Sequence, residues 1–243
     1  MATSVLDLFR VDGKTALITG ANGGIGGAMA EALAEAGANI IILQIPGDTS
    51  TATKEALAKL PIKVSVYDCD ISDVEQIRDT VTAVTVRDGQ QIDILINCAG
   101  TSGHKPILET DDEFREKVFA INMRANYVMT QEVGKHMISV GKGGKILNVS
   151  SLAGMIATTQ ISAYAGTKGA INQFTSAFAN EWAAYNIQVN CLCPGYFLTP
   201  LTRPYFESEN GFKEYIMSRT PMGRDDALLG SQILAQADLG SPK

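Results

Sequence analysis

The strongest constraint on this chain is a repeated unit: a short apolar run, a turn, then a stretch with helical spacing. Residues 14–20, KTALITG, run apolar into a glycine, and residues 26–38, GGAMAEALAEAGA, continue with strong helix formers. The unit recurs through NIIILQ (39–44) with a helix around TATKEALAKL, KVSVYD (63–68) with a helix around DVEQIRDTVTAV, and IDILINCAG (92–100). Longer helices near 111–140 and 162–185 flank KILNVSS (145–151) and IQVNCLCPG (187–195). Strands that are continuously apolar rather than alternating are covered on both faces. The expectation is an α/β fold, a doubly wound parallel sheet in a single domain over 1–243, since no Pro/Gly/Ser-rich linker divides the chain.

Bulk properties narrow the function classes. With 243 residues, 45% of them hydrophobic, a packed core is within reach. The net charge of −6 and the lack of any Lys/Arg run argue against unaided attraction to nucleic acid or an anionic membrane. No window approaches ~20 apolar residues, and the N-terminus carries Asp7 where a signal peptide would be apolar, so a cytoplasmic protein is expected. Cys69, Cys98, Cys191 and Cys193 are then expected to be reduced. Cys191 and Cys193 fall on one face of a strand, but the only histidines are His104 and His136 and no CxxC accompanies them. No metal site is expected, and these thiols read as buried small hydrophobes.

Chemistry accumulates at a few points. TGANGGIG (19–26) follows the first strand and opens a helix, the context in which glycines let a pyrophosphate approach free N–H groups at a helix N-terminus. The spacing is G-x-x-x-G-x-G, through Gly20, Gly24 and Gly26; a turn serving packing alone is the competing reading. In SAYAGTKGAI (162–171), Tyr164 and Lys168 stand one helical turn apart and share a face. Such a pair is either a solvated helix face or a pair acting on one bound molecule.

These stretches, with NCAG (97–100), NVSS (148–151) and CPG (193–195), resemble the short-chain dehydrogenase/reductase family over about residues 8–224. The resemblance implies a Rossmann-type fold and a reaction in which hydride passes between a carbinol carbon and a nicotinamide. The family's serine lies thirteen residues before its tyrosine, which selects Ser151 over its neighbour Ser150, and the family's helix-borne asparagine matches Asn122. A free tyrosine titrates near ~10, so a phenolate at neutral pH takes roughly 4 kcal/mol of differential stabilisation. Lys168 is expected to supply part of it. Ser151 is expected to donate to the substrate oxygen, and Asn122 to hold a water between Lys168 and solvent. Around this catalytic set the cofactor is expected to meet Gly20, Asn22, Gly24, Ile25, Gly26, Gln44, Asp70, Ile71, Asn97, Ala99, Gly100, Tyr164, Lys168, Pro194, Gly195, Phe197 and Thr199. Thr199 has a second reading as a helix N-cap before Pro200.

Dinucleotide choice usually rests on an acid at the end of the second strand, or on an Arg nearby for a 2′-phosphate. Gln44 and Ile45 occupy that strand end, and Gly23 stands where phosphate-binding relatives often carry a basic residue. NAD is the expectation, with NADP open. The region 180–202 looks most like sugar-acid and polyol dehydrogenases, including the 2-deoxy-gluconate type. Segment 198–224, irregular and partly helical, is placed to cover the crevice; its Tyr205, Phe206, Phe212 and Met217 equally suit an apolar ketone. His104 is either a substrate contact or a solvated loop residue, and TDDE (110–113) reads as helix-start capping.

The tail 225–243, DDALLGSQILAQADLGSPK, departs from the family, since the usual last strand is not legible in it. Losing that strand would remove one tetramer surface, while helices near 111–140 and 162–185 remain able to pair in a dimer. The same tail motivates a rival reading, a dinucleotide-binding scaffold without turnover, against which the complete catalytic set counts.

Overall fold

The structure is a computed structural model and describes residues 4–101, 103–208 and 211–220. The described residues form one six-stranded parallel sheet in the order β3-β2-β1-β4-β5-β6. The strands are β1 (Thr15–Thr19), β2 (Asn39–Gln44), β3 (Val64–Asp68), β4 (Ile94–Asn97), β5 (Gly144–Val149) and β6 (Ile187–Leu192). The doubly wound expectation is met. The expected loss of the usual last strand concerns 225–243, which lie outside the described residues.

Helices cover both faces, and each strand sends alternate side chains to the two cores. Leu17, Ile41, Leu95 and Ile146 enter a core with α3 (Val74–Thr82), α5 (Ala125–Val140) and α6 (Ser162–Trp182). Ala16, Ile18, Ile40, Ile42, Ile94 and Ile96 enter the other, with α1 (Gly24–Glu35) and α2 (Ala52–Leu57). This two-sided burial is why the runs read as unbroken apolar stretches. The exceptions are the edges of the described sheet: β3 alternates, leaving Val64 36% and Val66 43% exposed, and β6 alternates over its first four residues.

The helix expected over 111–140 follows one path in three pieces: α4 (Asp112–Val118), a π-helical turn over Phe119–Arg124, and α5. Asp111 caps α4, its carboxylate accepting from Phe114 N at 2.7 Å, as the TDDE reading expects. Widened turns of this kind re-aim side chains, and this one carries Asn122. Beyond β6 come α7 (Arg203–Phe206) and α8 (Phe212–Arg219), the helical parts of the covering segment.

β1 pairs with β2 on one side and β4 on the other, Thr19 opposite Asn97. Chain order reverses between β1 and β4, and a parallel sheet of this type opens a crevice there, at the carboxyl ends of its strands.

Candidate active site

A cavity of about 490 Å³ occupies that crevice, within the range of small-molecule and cofactor sites. Gly20, Asn22, Gly24, Ile25 and Gly26 line it, with Gln44, Asp70, Ile71, Ala99, Gly100 and Thr199, all expected at the cofactor. The glycines have separate reasons. Gly20 has φ +71°, and a Cβ there would lie 2.9 Å from Ala99 Cα; a Cβ on Gly26 would overlap the Gly20 carbonyl oxygen. The turn is therefore packed against both β4 and itself. α1 starts on Gly23 without a side-chain cap, which suits a helix N-terminus facing a phosphate.

Several supporting residues were not legible in the sequence. Thr19, the last residue of β1, accepts from Cys98 N and Ala99 N, both at 3.1 Å, and so holds the NCAG turn against the glycine turn. Asp48 and Ser50 line the cavity beyond β2. Asn97, expected to support the central strand as well as to lie at the cofactor, stands outside this large cavity and does the former. It donates to Thr130 (2.9 Å) and Asn148 (3.0 Å), and Asn148 in turn accepts from Asn126 and donates to Thr175 (3.0 Å). This network ties β4 and β5 to α5 and α6.

Tyr164, Lys168, Pro194, Gly195 and Phe197 also lie outside the walls of that cavity, although Lys168 Nζ lies 3.8 Å from where a Cβ on Gly100, one of its lining residues, would be. Ser151 stands at the end of β5, capping a 3₁₀ turn by accepting from Ala153 N at 3.1 Å. Its hydroxyl lies close enough to the Tyr164 phenol to favour the ionised form. Ser150 instead donates to the Lys168 carbonyl at 2.9 Å, fixing α6 against β5. Lys168 is 5% exposed and donates to the Val149 carbonyl at 2.9 Å. Asn122 clamps Thr101: its Oδ1 accepts from Thr101 N and its Nδ2 donates to Thr101 O, both at 2.8 Å, with Thr167 Oγ1 at 3.3 Å. One Oδ1 lone pair remains.

In the chain by itself burial pushes the Tyr164 phenol up, and the neighbouring Ser151 hydroxyl only partly opposes this. The Lys168 ammonium is 5.6 Å from the Tyr164 ring centre and bound to Val149 O, and burial lowers its own value to about 8. A nearby cation on a bound ligand would be the natural further source of phenolate stabilisation.

A second cavity lies beside this group, lined by His104, Thr158, Thr159, Gln160, Tyr196, Tyr205, Phe212 and Tyr215 among others. His104 stays exposed, with its ring edge-on to Tyr205 (4.4 Å) and Phe212 (5.8 Å), so loop 103–105 and the covering segment meet there. Thr199 closes the other side. Its Oγ1 accepts from Thr202 N at 3.3 Å, folding the segment back over the glycine turn. Cys191 and Cys193 are only partly buried, both thiols directed to Asn172 Oδ1 at 3.3 and 3.5 Å. They are thus polar contacts on α6 rather than the fully buried hydrophobes expected. No described helix is long and apolar enough to cross a membrane.

The pattern of the family described as short chain dehydrogenase matches residues 14–210. The chain is a short-chain dehydrogenase. It is 37% identical over 218 residues to a 2-dehydro-3-deoxy-D-gluconate 5-dehydrogenase of Bacillus subtilis, covering 90% of this chain and 84% of that protein. It is 35% identical over 217 residues to an NAD-dependent glycerol dehydrogenase of Listeria innocua, covering 89% and 82%. Among solved structures, a gluconate 5-dehydrogenase from Burkholderia cenocepacia, in complex with NADP and tartrate, superposes with a TM-score of 0.87 at 34% identity, covering 98% of this chain and 92% of that one. This short-chain dehydrogenase is an oxidoreductase that exchanges hydride between a CH–OH group and a nicotinamide cofactor.

Proposed function

We propose that this dehydrogenase interconverts a secondary alcohol and a ketone on a sugar acid or polyol, with NAD as the dinucleotide. The observation that carries the reading is Tyr164 one helical turn from a buried Lys168 that is held by Val149 O, with the Ser151 hydroxyl beside the phenol and a glycine-floored cavity next to them. A nicotinamide held there supplies the hydride acceptor or donor. Tyr164 takes the hydroxyl proton in oxidation and returns it in reduction. Ser151 donates to the substrate oxygen, where negative charge develops. Lys168, held by Val149 O, biases Tyr164 toward phenolate, and Asn122 fixes Thr101 while its free lone pair accepts from a water. Gly20, Gly24, Ile25 and Gly26 bind the pyrophosphate; Asp70 and Ile71 flank the adenine; Pro194, Gly195, Phe197 and Thr199 shelter the nicotinamide.

The substrate class rests on the names of the similar proteins and on the second cavity, whose hydroxyl, amide and aromatic groups match a polyhydroxylated chain. No Lys or Arg among the described residues lines the first cavity, which favours NAD over its phosphorylated counterpart. A row of rings on α5 and α6, Tyr127 against Phe174 (5.2 Å) and Phe178 stacked on Trp182 (5.0 Å), leaves Tyr127 39% exposed and supports a homodimer through these helices. We place the protein in the cytoplasm, as a single domain with 198–224 as its cover.

Tyr164→Phe tests the chemistry: turnover should fall by about 10²–10⁴ with dinucleotide binding retained. Full activity in that variant overturns the assignment. A panel of gluconate-type acids, polyols and aromatic ketones tests the substrate class, and preferential turnover of the ketones would refute it.

A further inference from the structure

The wall beyond β2 is built from a turn and two amides. Ile45-Pro46-Gly47-Asp48 has Pro at the second and Gly at the third position of a type II turn, Gly47 at φ +83° and Asp48 N donating to Ile45 O at 3.1 Å. The turn carries Asp48 back to the cavity. There Asn22 Nδ2 donates to Asp48 Oδ2 at 2.7 Å and to Gln44 Oε1 at 3.1 Å, while Ser50 N donates to Asp48 Oδ1 at 2.8 Å. Gln44 Nε2 is used on Asp68 at 2.8 Å.

Both Nδ2 hydrogens of Asn22 are therefore consumed. What this corner has left over is acceptors: one unused lone pair or more on each Asp48 oxygen, and Asn22 Oδ1, which is buried with no hydrogen-bond partner. A ribose diol brings two O–H donors. A 2′-phosphate brings negative charge and more acceptors.

We propose, resting on the dinucleotide reading above, that Asp48 with Asn22 recognises the adenosine ribose and makes the enzyme selective for NAD. Asp48 thus does from the turn, four residues on, what an acid at the position of Gln44 does in other dinucleotide-binding sheets. Hydrogen bonds from Asn22 first and Ser50 next hold the Asp48 carboxyl down to about 2, so the group is ionised at any working pH. The cation that Asp48 feels is Lys54 on α2, the weakest of its influences and not part of the cavity wall.

Calorimetric titration of the full chain with NAD and with NADP tests this. NAD should bind about 100-fold tighter than NADP. Asp48→Asn, which keeps the shape and removes the charge, should tighten NADP by about tenfold while weakening NAD; Asp48→Ser should move the ratio the same way. Equal or tighter NADP binding by the unaltered protein, or a ratio that both variants leave unchanged, overturns the proposal while leaving the dehydrogenase reading intact. If neither dinucleotide binds, the cofactor reading itself fails, and this proposal with it.

Discussion

Replacing Lys168 by Met should stabilise the folded protein while disabling it. The ammonium is nine-tenths buried, and burial moves it from 10.5 to about 8. At 1.36 kcal/mol per decade of proton affinity, keeping that charge at pH 7 costs roughly 3 kcal/mol. Against this stands one hydrogen bond to Val149 O at 2.9 Å, whose loss takes back about 1–2 kcal/mol. A Met of similar length leaves little void, so the net expectation is a gain of about 1–2 kcal/mol at pH 7. The pH dependence carries the sign. Between about 8 and 10.5 the unfolded wild-type chain holds the lysine proton that the folded chain has released, so wild-type stability rises with pH through that window. The variant has no such group, and its advantage should shrink and then reverse. Paired urea unfolding curves at pH 7 and pH 9.5 measure this. A variant less stable than wild type at pH 7, or a difference that does not change with pH, would refute the reasoning. The cost of the buried charge is then the cost of keeping a cation beside Tyr164.

Two further outcomes follow from local geometry. Gly26→Ala should cost about 1–3 kcal/mol and abolish NAD binding, because the new Cβ overlaps the Gly20 carbonyl oxygen and forces α1 off the turn; melting scans with and without NAD check both. His136 Nε2 accepts from Ile92 N at 3.2 Å and burial holds its value down, so the unfolded chain takes up its proton first as pH falls. Stability should therefore decline as pH drops below the ordinary histidine range near ~6.5. His136→Gln should flatten that slope in urea midpoints taken from pH 7 to pH 5, and an unchanged slope would locate the acid sensitivity elsewhere.

Strand and helix positions were legible because both faces of a parallel sheet must be covered, which writes unbroken apolar runs between helical stretches. β3 and the start of β6 broke that rule because they are the edges of the described sheet, and their letters alternate. The glycine turn and the Tyr164–Lys168 pair were legible as short-range spacing, one tight bend and one helical turn, while Ser151 and Asn122 were reached through the family resemblance. Thr19, Asp48 and the Asn97–Asn148 network were not, since their partners lie far along the chain or across the sheet and no spacing announces them. The water-bridging expectation for Asn122 came from a position in the sequence; its grip on Thr101 came from the π-helical turn.

The sequence by itself determined the layered fold and the glycine turn that opens α1, because each follows from local periodicity or short-range spacing, and its resemblance to the family singled out Tyr164 and Lys168 as the expected proton-transferring pair. Tertiary structure alone decided three things. It set the protonation energetics of Tyr164 and Lys168, which depend on how much water the surrounding elements remove. It brought His104, Tyr196, Tyr205 and Phe212 together from separate segments around a second cavity. It also returned Asp48 to the cavity wall beside Asn22 through a Pro-Gly turn, the placement on which its proposed ribose role rests.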